Sequence, residues 1–482
     1  MGEQATVVLD VGKTLTKLSL WTPDGRPIAQ RNRPNERVDM GAYVALDVSG
    51  IEAFVADSLQ SFASLTEVGA IIPVGHGAGA AVLDHQRGLV LAPLDYENPI
   101  PNSIRHAYSE QRDEFAFTGS PALPDGLNLG AQLFFLESLH PDLLSGQRRI
   151  VPWAQYWSWV LCGVAASEVS SLGCHTDLWR PLERVPSQLA AKRGWSDHFA
   201  SLHDAGSVLG TLRPQWVRRT GLSPKVCVYC GLHDSNAALV AARASPEISG
   251  QEATILSTGT WFVAMRTPGR RGRVNIDSLD EKRDCLVNVD VGNNPVPSAR
   301  FMGGREIELL TGLDTRRIDI QPDQPALLAG VSEVLENRAM VLPTLAPGCG
   351  PFPHGRGRWI SMPGDETHRR TAVALYAALV SDVALDLVGA RERLVIEGRF
   401  SESQVFVRAL ASLRPDMRVY VCHSRNDVAF GALCLTDPGQ QSPAPLIRVA
   451  PLVEDLTEYR ERWRLEAQRM EQASDLDQGV LQ

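Results

Sequence analysis

Two phrases half a chain apart constrain this sequence of 482 residues more than anything else in it. The first runs Thr6-Val7-Val8-Leu9, turns through Asp10-Val11-Gly12-Lys13-Thr14 and leaves through Thr16 to Trp21. Apolar and β-branched runs on both sides of a glycine turn predict a β-hairpin. The second runs Thr254-Ile255-Leu256, turns through Ser257-Thr258-Gly259-Thr260 and leaves through Trp261 to Met265. Asp10 and Ser257 are 247 residues apart, so each half of the chain opens with a hairpin and two related halves are expected. A prior of about 100–200 residues per domain leaves room for that arrangement.

The rest of each half predicts mixed α/β structure. In the first, residues 51–65 have helical spacing, 68–74 are strand-like, and 81–83 and 89–91 flank a turn. In the second, 367–391 is expected as a long amphipathic helix, 394–396 as a buried strand, 403–413 as a helix, 418–422 as a strand and 428–435 as a helix. Ala244-Ser245-Pro246-Glu247 breaks a helical run. The expected domains are therefore 1–245 and 246–450, followed by a charged surface helix and a disordered tail end over 451–482.

With 56 acidic and 47 basic residues the net charge is −9, which leaves no global field to attract a polyphosphate backbone. Nucleic acid is not an expected partner. Eight cysteines at irregular spacing form no disulfide framework, and Cys227-x-x-Cys230 has no second pair at zinc spacing, so buried reduced thiols are expected. Asp10, Lys13 and Lys17 interrupt any N-terminal apolar segment, and residues 151–166, the most apolar stretch, carry Gln155 and Ser158 and are too short to cross a bilayer. The expected setting is cytoplasmic, with no membrane partner.

Several stretches could carry chemistry. Asp10-Val11-Gly12-Lys13-Thr14 combines a carboxylate at a strand end, a glycine, a cation and a hydroxyl, the groups that hold Mg²⁺ and phosphate oxygens. A plain hairpin turn with a solvated lysine explains the same residues, and Ser257 to Thr260 has the same double meaning. Asp234, in Gly231-Leu232-His233-Asp234, opens an alanine-rich helix, where it caps the helix or takes a proton from a substrate hydroxyl. Glu397-Gly398-Arg399-Phe400-Ser401 joins a strand to a helix, where glycine and backbone amides pack against a nucleotide. His76, in Gly75-His76-Gly77, and the cluster Asp95-Tyr96-Glu97-Asn98 lie at strand ends, either as ordinary loops or as hydrogen-bonding partners of a polyol.

Together and in this order, these motifs resemble the FGGY family of carbohydrate kinases over about residues 5–440. The resemblance implies an α/β fold of two duplicated actin-like, ribonuclease-H-like ATPase domains with an interdomain cleft. It implies that Asp10 to Thr14 is the first phosphate hairpin, with Lys13 where the family has threonine, and that Ser257 to Thr260 is the second. Asp234 is then the catalytic base, and His233 beside it resembles the rhamnulokinase and fuculokinase wording. Gly303 and Gly304, with Gly398 and Ser401, fall where the family contacts the nucleotide, and Ser424 to Ala432 resembles its closing helix. Residues 157–178, with Glu168, Ser170 and Ser171, resemble a rhamnulokinase stretch. Glu397 to Phe400 keeps one glycine where the family has two or three, and Leu94 to Asn98 replaces its tryptophan-containing sugar motif.

The expected function is ATP-dependent phosphorylation of a small ketose or 6-deoxyketose of the L-rhamnulose or L-fuculose kind, with Asp234 as general base. Asp10 is the expected Mg²⁺ residue. Gly12, Lys13, Thr14, Thr258, Gly259, Thr260, Gly303, Gly304, Gly398 and Ser401 are the expected ATP residues, and His76, Asp95, Tyr96, His233 and Asp234 the substrate residues. The alternatives are a kinase for a pentulose, tetrulose or polyol, and a catalytically silent sugar or nucleotide sensor on the same fold. A homodimer is compatible with this reading.

Overall fold

The protein, seen in a computed structural model, is described over residues 4–269, 273–314, 319–422, 428–437, 439–441 and 445–479. Ser424 to Asp427 of the expected closing motif, and the end of the tail, lie outside the described residues. The chain divides into two units: residues 1–244, 287–295 and 427–441 form unit 1, and 245–286, 296–426 and 442–482 form unit 2.

Unit 1 is built on a sheet whose first hairpin pairs β1 (Ala5–Val11) with β2 (Leu15–Trp21) in antiparallel fashion, β3 (Pro27–Pro34) lying outside β2. After α1 (Val48–Ala63) the chain returns as β4 (Val68–Gly75), parallel to β1. Asp47 caps α1 by accepting from the Gly50 amide at 2.9 Å. Ile51, Val55, Leu59 and Phe62, spaced for one helix face, are buried in a cluster with Val7, Leu9, Leu18 and Leu20. The helix α2 (Trp153–Cys162) adds Trp153 and Trp157 to that cluster. Beyond β4 come β5 (Val208–Thr211) and β6 (Cys227–Tyr229), and β7 (Leu232–His233) continues alongside β4 and runs directly into α3 (Asp234–Arg243). The sheet order is β3-β2-β1-β4-β6-β5. The helix Val428–Leu433 packs with α3, Ala429, Ala432 and Leu433 sharing a cluster with Ala237 and Leu232.

Unit 2 repeats the plan. Its hairpin pairs β8 (Ala253–Thr258) with β9 (Phe262–Thr267), and β10 (Pro295–Phe301) lies outside β9. The helices α4 (Gly303–Thr311) and α5 (Glu366–Leu387) precede β11 (Arg393–Gly398), which is parallel to β8. Then α6 (Gln404–Leu413) leads to β12 (Arg418–Cys422), parallel to β11, and β13 (Ile447–Arg448) closes that edge in antiparallel fashion. Apart from an additional edge strand, Cys285–Val289, outside β10, the order β10-β9-β8-β11-β12-β13 has the same sequence of antiparallel and parallel pairings as β3-β2-β1-β4-β6-β5. The two opening hairpins therefore hold equivalent positions in two equivalent sheets, as a duplication requires.

One element differs from its sequence reading. The expected amphipathic helix, α5, is buried at every residue from Thr371 to Leu385. Its polar positions find partners inside: Thr371 donates to Leu327 O at 2.9 Å, and Asp382 is held by Arg414, Arg460 and Arg464. The last helix, α7 (Thr457–Gly479), carries the latter two arginines and also buries Trp463, whose indole donates to Val341 O at 2.6 Å. Cys227 and Cys230 are free thiols, as expected, and so are the other six cysteines. Among the described residues no helix is long and apolar enough to cross a membrane.

Candidate active site

The first hairpin turns tightly because the Gly12 amide donates to Leu15 O at 3.1 Å. Asn35 clamps the turn from β3's end: its Nδ2 donates to Gly12 O at 2.8 Å and its amide to Thr14 O at 2.9 Å. Among the described residues the Lys13 and Thr14 amides donate no hydrogen bond. Asp10 stands at the end of β1, in register with Lys17 of β2 and Val74 of β4.

The Lys13 side chain, only 12% exposed, is committed elsewhere. Its ammonium pairs with Asp95, lies 3.8 Å from Glu97 Oε2 and sits 4.7 Å from the centroid of the Tyr96 ring. Arg37 reaches the other Asp95 oxygen at 3.2 Å and also pairs with Glu97. Burial pushes the Lys13 pKa down, and the Asp95 carboxylate opposes that without reversing it. Asp95 is wholly buried, so the carboxylate expected to meet a sugar is instead neutralised by two cations, and it anchors the segment that carries Tyr96.

Asp234 is the first residue of α3 and 31% exposed. Its Oδ1 accepts two hydrogen bonds, from the Ser235 amide at 2.6 Å and from Ser235 Oγ at 3.2 Å, and lies 3.1 Å from His233 Nε2 in an ion-pair contact. Among the described residues Oδ2 has none. Burial pushes the carboxyl up, but the His233 bond and charge, the His76 charge and the Ser235 amide together hold it below the usual carboxylate range. Both ring nitrogens of His233 are engaged, Nε2 by Asp234 and Nδ1 by Asn236 Nδ2 at 3.3 Å, which leaves no ring atom for a sugar. The His233 amide donates to Ser170 Oγ at 3.3 Å, and Ser170 Oγ donates to the buried Glu168 at 2.6 Å.

His76 follows β4 and is 8% exposed, with both ring nitrogens buried and without a hydrogen-bond partner. Its ring meets Tyr96 edge-on at 5.5 Å and Trp153 at 5.9 Å. Burial pulls the imidazole pKa down to about 4, helped by Lys13 and His233 and opposed by Asp234 and Asp95. The ring is neutral at pH 7 and presents one donor and one acceptor with nothing to bond.

In unit 2 the Gly259 amide donates to Trp261 O at 3.0 Å, which makes the second turn as tight as the first. Among the described residues the Thr260 amide donates no hydrogen bond, and Thr260 is exposed. Thr258 is different: its hydroxyl donates to Glu397 O at 2.5 Å and accepts from the Phe400 amide at 3.1 Å, so it ties the hairpin to β11 and is not presented to a ligand. Gly398 (φ +85°) must be glycine, since an added Cβ would lie 2.2 Å from Thr258 O. Gly303 and Gly304 open α4, and a Cβ on Gly304 would lie 1.9 Å from Gly259 O. Ser401 is buried, and Phe400 packs on Phe262 with ring centroids 5.2 Å apart.

A profile described as "Carbohydrate kinase FGGY, C-terminal domain" matches residues 250–444. The crystal structure of a carbohydrate kinase from Novosphingobium aromaticivorans superposes with a TM-score of 0.93, at 53% identity over 97% of this chain and 99% of that one. The chain belongs to the FGGY carbohydrate kinase family. Two other relatives are less similar. L-fuculokinase of Escherichia coli is 25% identical over 279 residues, 55% of this chain and 57% of the relative. Rhamnulokinase of Ligilactobacillus salivarius is 28% identical over 171 residues, 35% and 34% of the two chains. The matched stretch thus spans about half or less of these relatives' length.

Among the described residues of this FGGY chain, no group of three or more His, Cys, Asp or Glu side chains is placed to hold a metal alone. Mg²⁺ needs no such cage: it keeps several waters and binds through one or two carboxylates plus substrate phosphates. A single strand-end carboxylate, Asp10, in a turn with undonated amides suits a cation that arrives with a nucleotide, so these residues fit Mg-ATP. Sequence reading missed Asn35, Arg37, Trp153 and Asn236. Asn35 and Arg37 act on turns through non-local contacts that leave no spacing signal, whereas Asn236, three residues after His233 on one helix face, was legible in principle.

Proposed function

We propose that this chain transfers the γ-phosphoryl group of ATP to a hydroxyl of a small ketose, with Asp234 as general base. The observation that carries this reading is the asymmetry of the Asp234 carboxylate: Oδ1 accepts two hydrogen bonds from Ser235 and lies 3.1 Å from His233 Nε2, while Oδ2 has no partner among the described residues. Oδ2 takes the proton of the attacking hydroxyl as its oxygen bonds to the γ-phosphorus and the bond to ADP breaks. His76, neutral and unpartnered, offers a donor and an acceptor to other hydroxyls of the sugar. Tyr96 lines the same neighbourhood, held there by the Lys13–Asp95–Arg37 network.

The amides of Lys13, Thr14 and Thr260 are suited to phosphate oxygens, and Gly259, Gly303, Gly304 and Gly398 keep backbone close where side chains would intrude. Mg²⁺, when bound, offsets charge on the phosphates, and Asp10 is the residue that would hold it. The phosphoryl donor used in this family is ATP with Mg²⁺. Free thiols at all eight cysteines suit a reducing, cytoplasmic setting.

A 6-deoxyketose of the L-rhamnulose or L-fuculose kind is the favoured acceptor, supported by the similarity to a rhamnulokinase and an L-fuculokinase. The test is ADP release with ATP, Mg²⁺ and a panel of ketoses, run for the natural protein and for Asp234→Asn. A general base contributes about 10²–10⁴-fold, so the variant should lose at least about 10²-fold in kcat while still binding ATP. Full turnover by Asp234→Asn sinks the assignment. Sugar binding without turnover of any sugar by the natural protein favours the sensor.

A further inference from the structure

The groups around His233 form a chain whose hydrogen positions are fixed by chemistry. An ionised Asp234 carboxylate 3.1 Å from Nε2 requires that nitrogen to carry the proton. A neutral ring then has a lone pair on Nδ1, and the group facing it is the amide of Asn236, 3% exposed, whose Nδ2 lies 3.3 Å away. Behind the ring, the His233 backbone is tied through Ser170 to Glu168, which also accepts from the Ser170 and Ser171 amides at 2.9 and 3.0 Å. His233 is itself 5% exposed, so water does not compete for either nitrogen.

We propose that Asn236 is a positioning residue: by donating to His233 Nδ1 it keeps the ring a neutral Nε2–H donor, which pins Oδ1 of Asp234 and leaves Oδ2 to take the substrate proton. This rests on Asp234 as the base. The His233 contact already holds the carboxyl below its usual range, and a neutral ring exerts that pull without the added pull of a full charge, so it leaves Asp234 a stronger base than an imidazolium in the same place would. The titratable groups around the ring are Asp234 on α3, His76 after β4, and Glu168 and Cys174 on the segment that packs beside β7. The helix Val428–Leu433 brings no titratable side chain to α3. Asn236 is the partner that selects between the two neutral tautomers.

The first test needs neither nucleotide nor sugar. In the full chain labelled with ¹⁵N-histidine, with His233→Gln to assign the signal, His233 is expected as the neutral Nε2–H tautomer at pH 7. A neutral Nδ1–H ring or an imidazolium there overturns the proposal. The second test is Asn236→Asp, which turns the donor facing Nδ1 into an acceptor. Its neutral ring carries the proton on Nδ1 and turns a lone pair toward Asp234, so only the imidazolium orients the base. The kcat of this variant should fall about tenfold per pH unit above the imidazole pKa, while the natural protein shows no such limb. A pH profile of unchanged shape, with or without a uniform loss of rate, overturns the proposal. A correct tautomer in a natural protein that phosphorylates no ketose would remove the Asp234 reading on which this proposal rests and leave only the tautomer assignment of His233 standing.

Discussion

His76 offers the sharpest test of the site's electrostatics, because its burial has a calculable effect on stability. The ring is 8% exposed, has no hydrogen-bond partner, and titrates near 4 in the folded chain, against 6.5 for the free side chain. Between those values the unfolded chain binds the proton and the folded chain does not, so unfolding free energy rises with pH across the window and falls on acidification. At about pH 4.5 the unfolded imidazole is almost fully protonated, and the imbalance costs the fold about 2.5 kcal/mol; at pH 7 it costs about 0.2 kcal/mol. Carboxylates such as Asp47 and Asp234, held below their usual range, also lose stabilisation in acid, so the natural protein alone cannot isolate the term. His76→Gln keeps those carboxylates and lacks the imidazole, so the difference between the two proteins reads the imidazole together with its coupling to Asp234. Urea unfolding of both proteins at the two pH values should show the variant gaining about 2 kcal/mol relative to the natural protein on acidification. An equal difference at both pH values would refute the reasoning, since it would mean that His76 is solvated or paired in the folded chain.

Lys13→Met should raise KM for the sugar more than KM for ATP, because the ammonium is spent on Asp95 and Tyr96 and not on the phosphates; in a double-mutant cycle with Asp95→Asn the two losses should be strongly non-additive, and additive losses would argue against the pairing. Asp382→Leu removes the wholly buried carboxylate that Arg414 and Arg460 reach at 2.7 Å, taking the pairing carboxylate from Arg460 and leaving Asp386 alone to offset Arg414 and Arg464; a loss of about 3–5 kcal/mol, on the order of 10 °C in the melting of unit 2 by calorimetry, is expected with little change in unit 1.

What could be read from the sequence was what is encoded locally. Each hairpin announces itself in about fifteen residues, because a glycine turn between β-branched runs has few other uses. Asp234 at a helix start was equally visible. The pairing of β1 with β4 and of β8 with β11 was not, since parallel pairing is set by contacts far apart in sequence. The helix α5 shows how a local pattern misleads: Thr371, Ser381 and Asp382 mimic a polar face, yet all three are buried, and Thr371 and Asp382 are satisfied by groups the helix itself does not contain. The side-chain partner of Lys13 was hidden for a different reason. In a turn of the form Asp-x-Gly-Lys-Thr a lysine reads as a phosphate ligand, and only the fold reveals the buried Asp95 that claims it.

The duplication gives these differences a physical sense. Asp10 and Ser257 occupy equivalent places, each on the first strand of its sheet and in register with the parallel neighbour, Val74 in one case and Glu397 in the other. One half keeps a carboxylate there and the other a hydroxyl. The same asymmetry holds at Lys13, whose equivalent, Thr260, is exposed and uncharged. The added cation in unit 1 comes with its own buried counter-ion, so the hairpin gains a link to the Tyr96 segment without a net change in the charge offered to phosphate. Removing Asp95 while keeping Lys13 would therefore alter nucleotide binding as well as sugar binding, because it would release an ammonium that the folded chain holds in reserve.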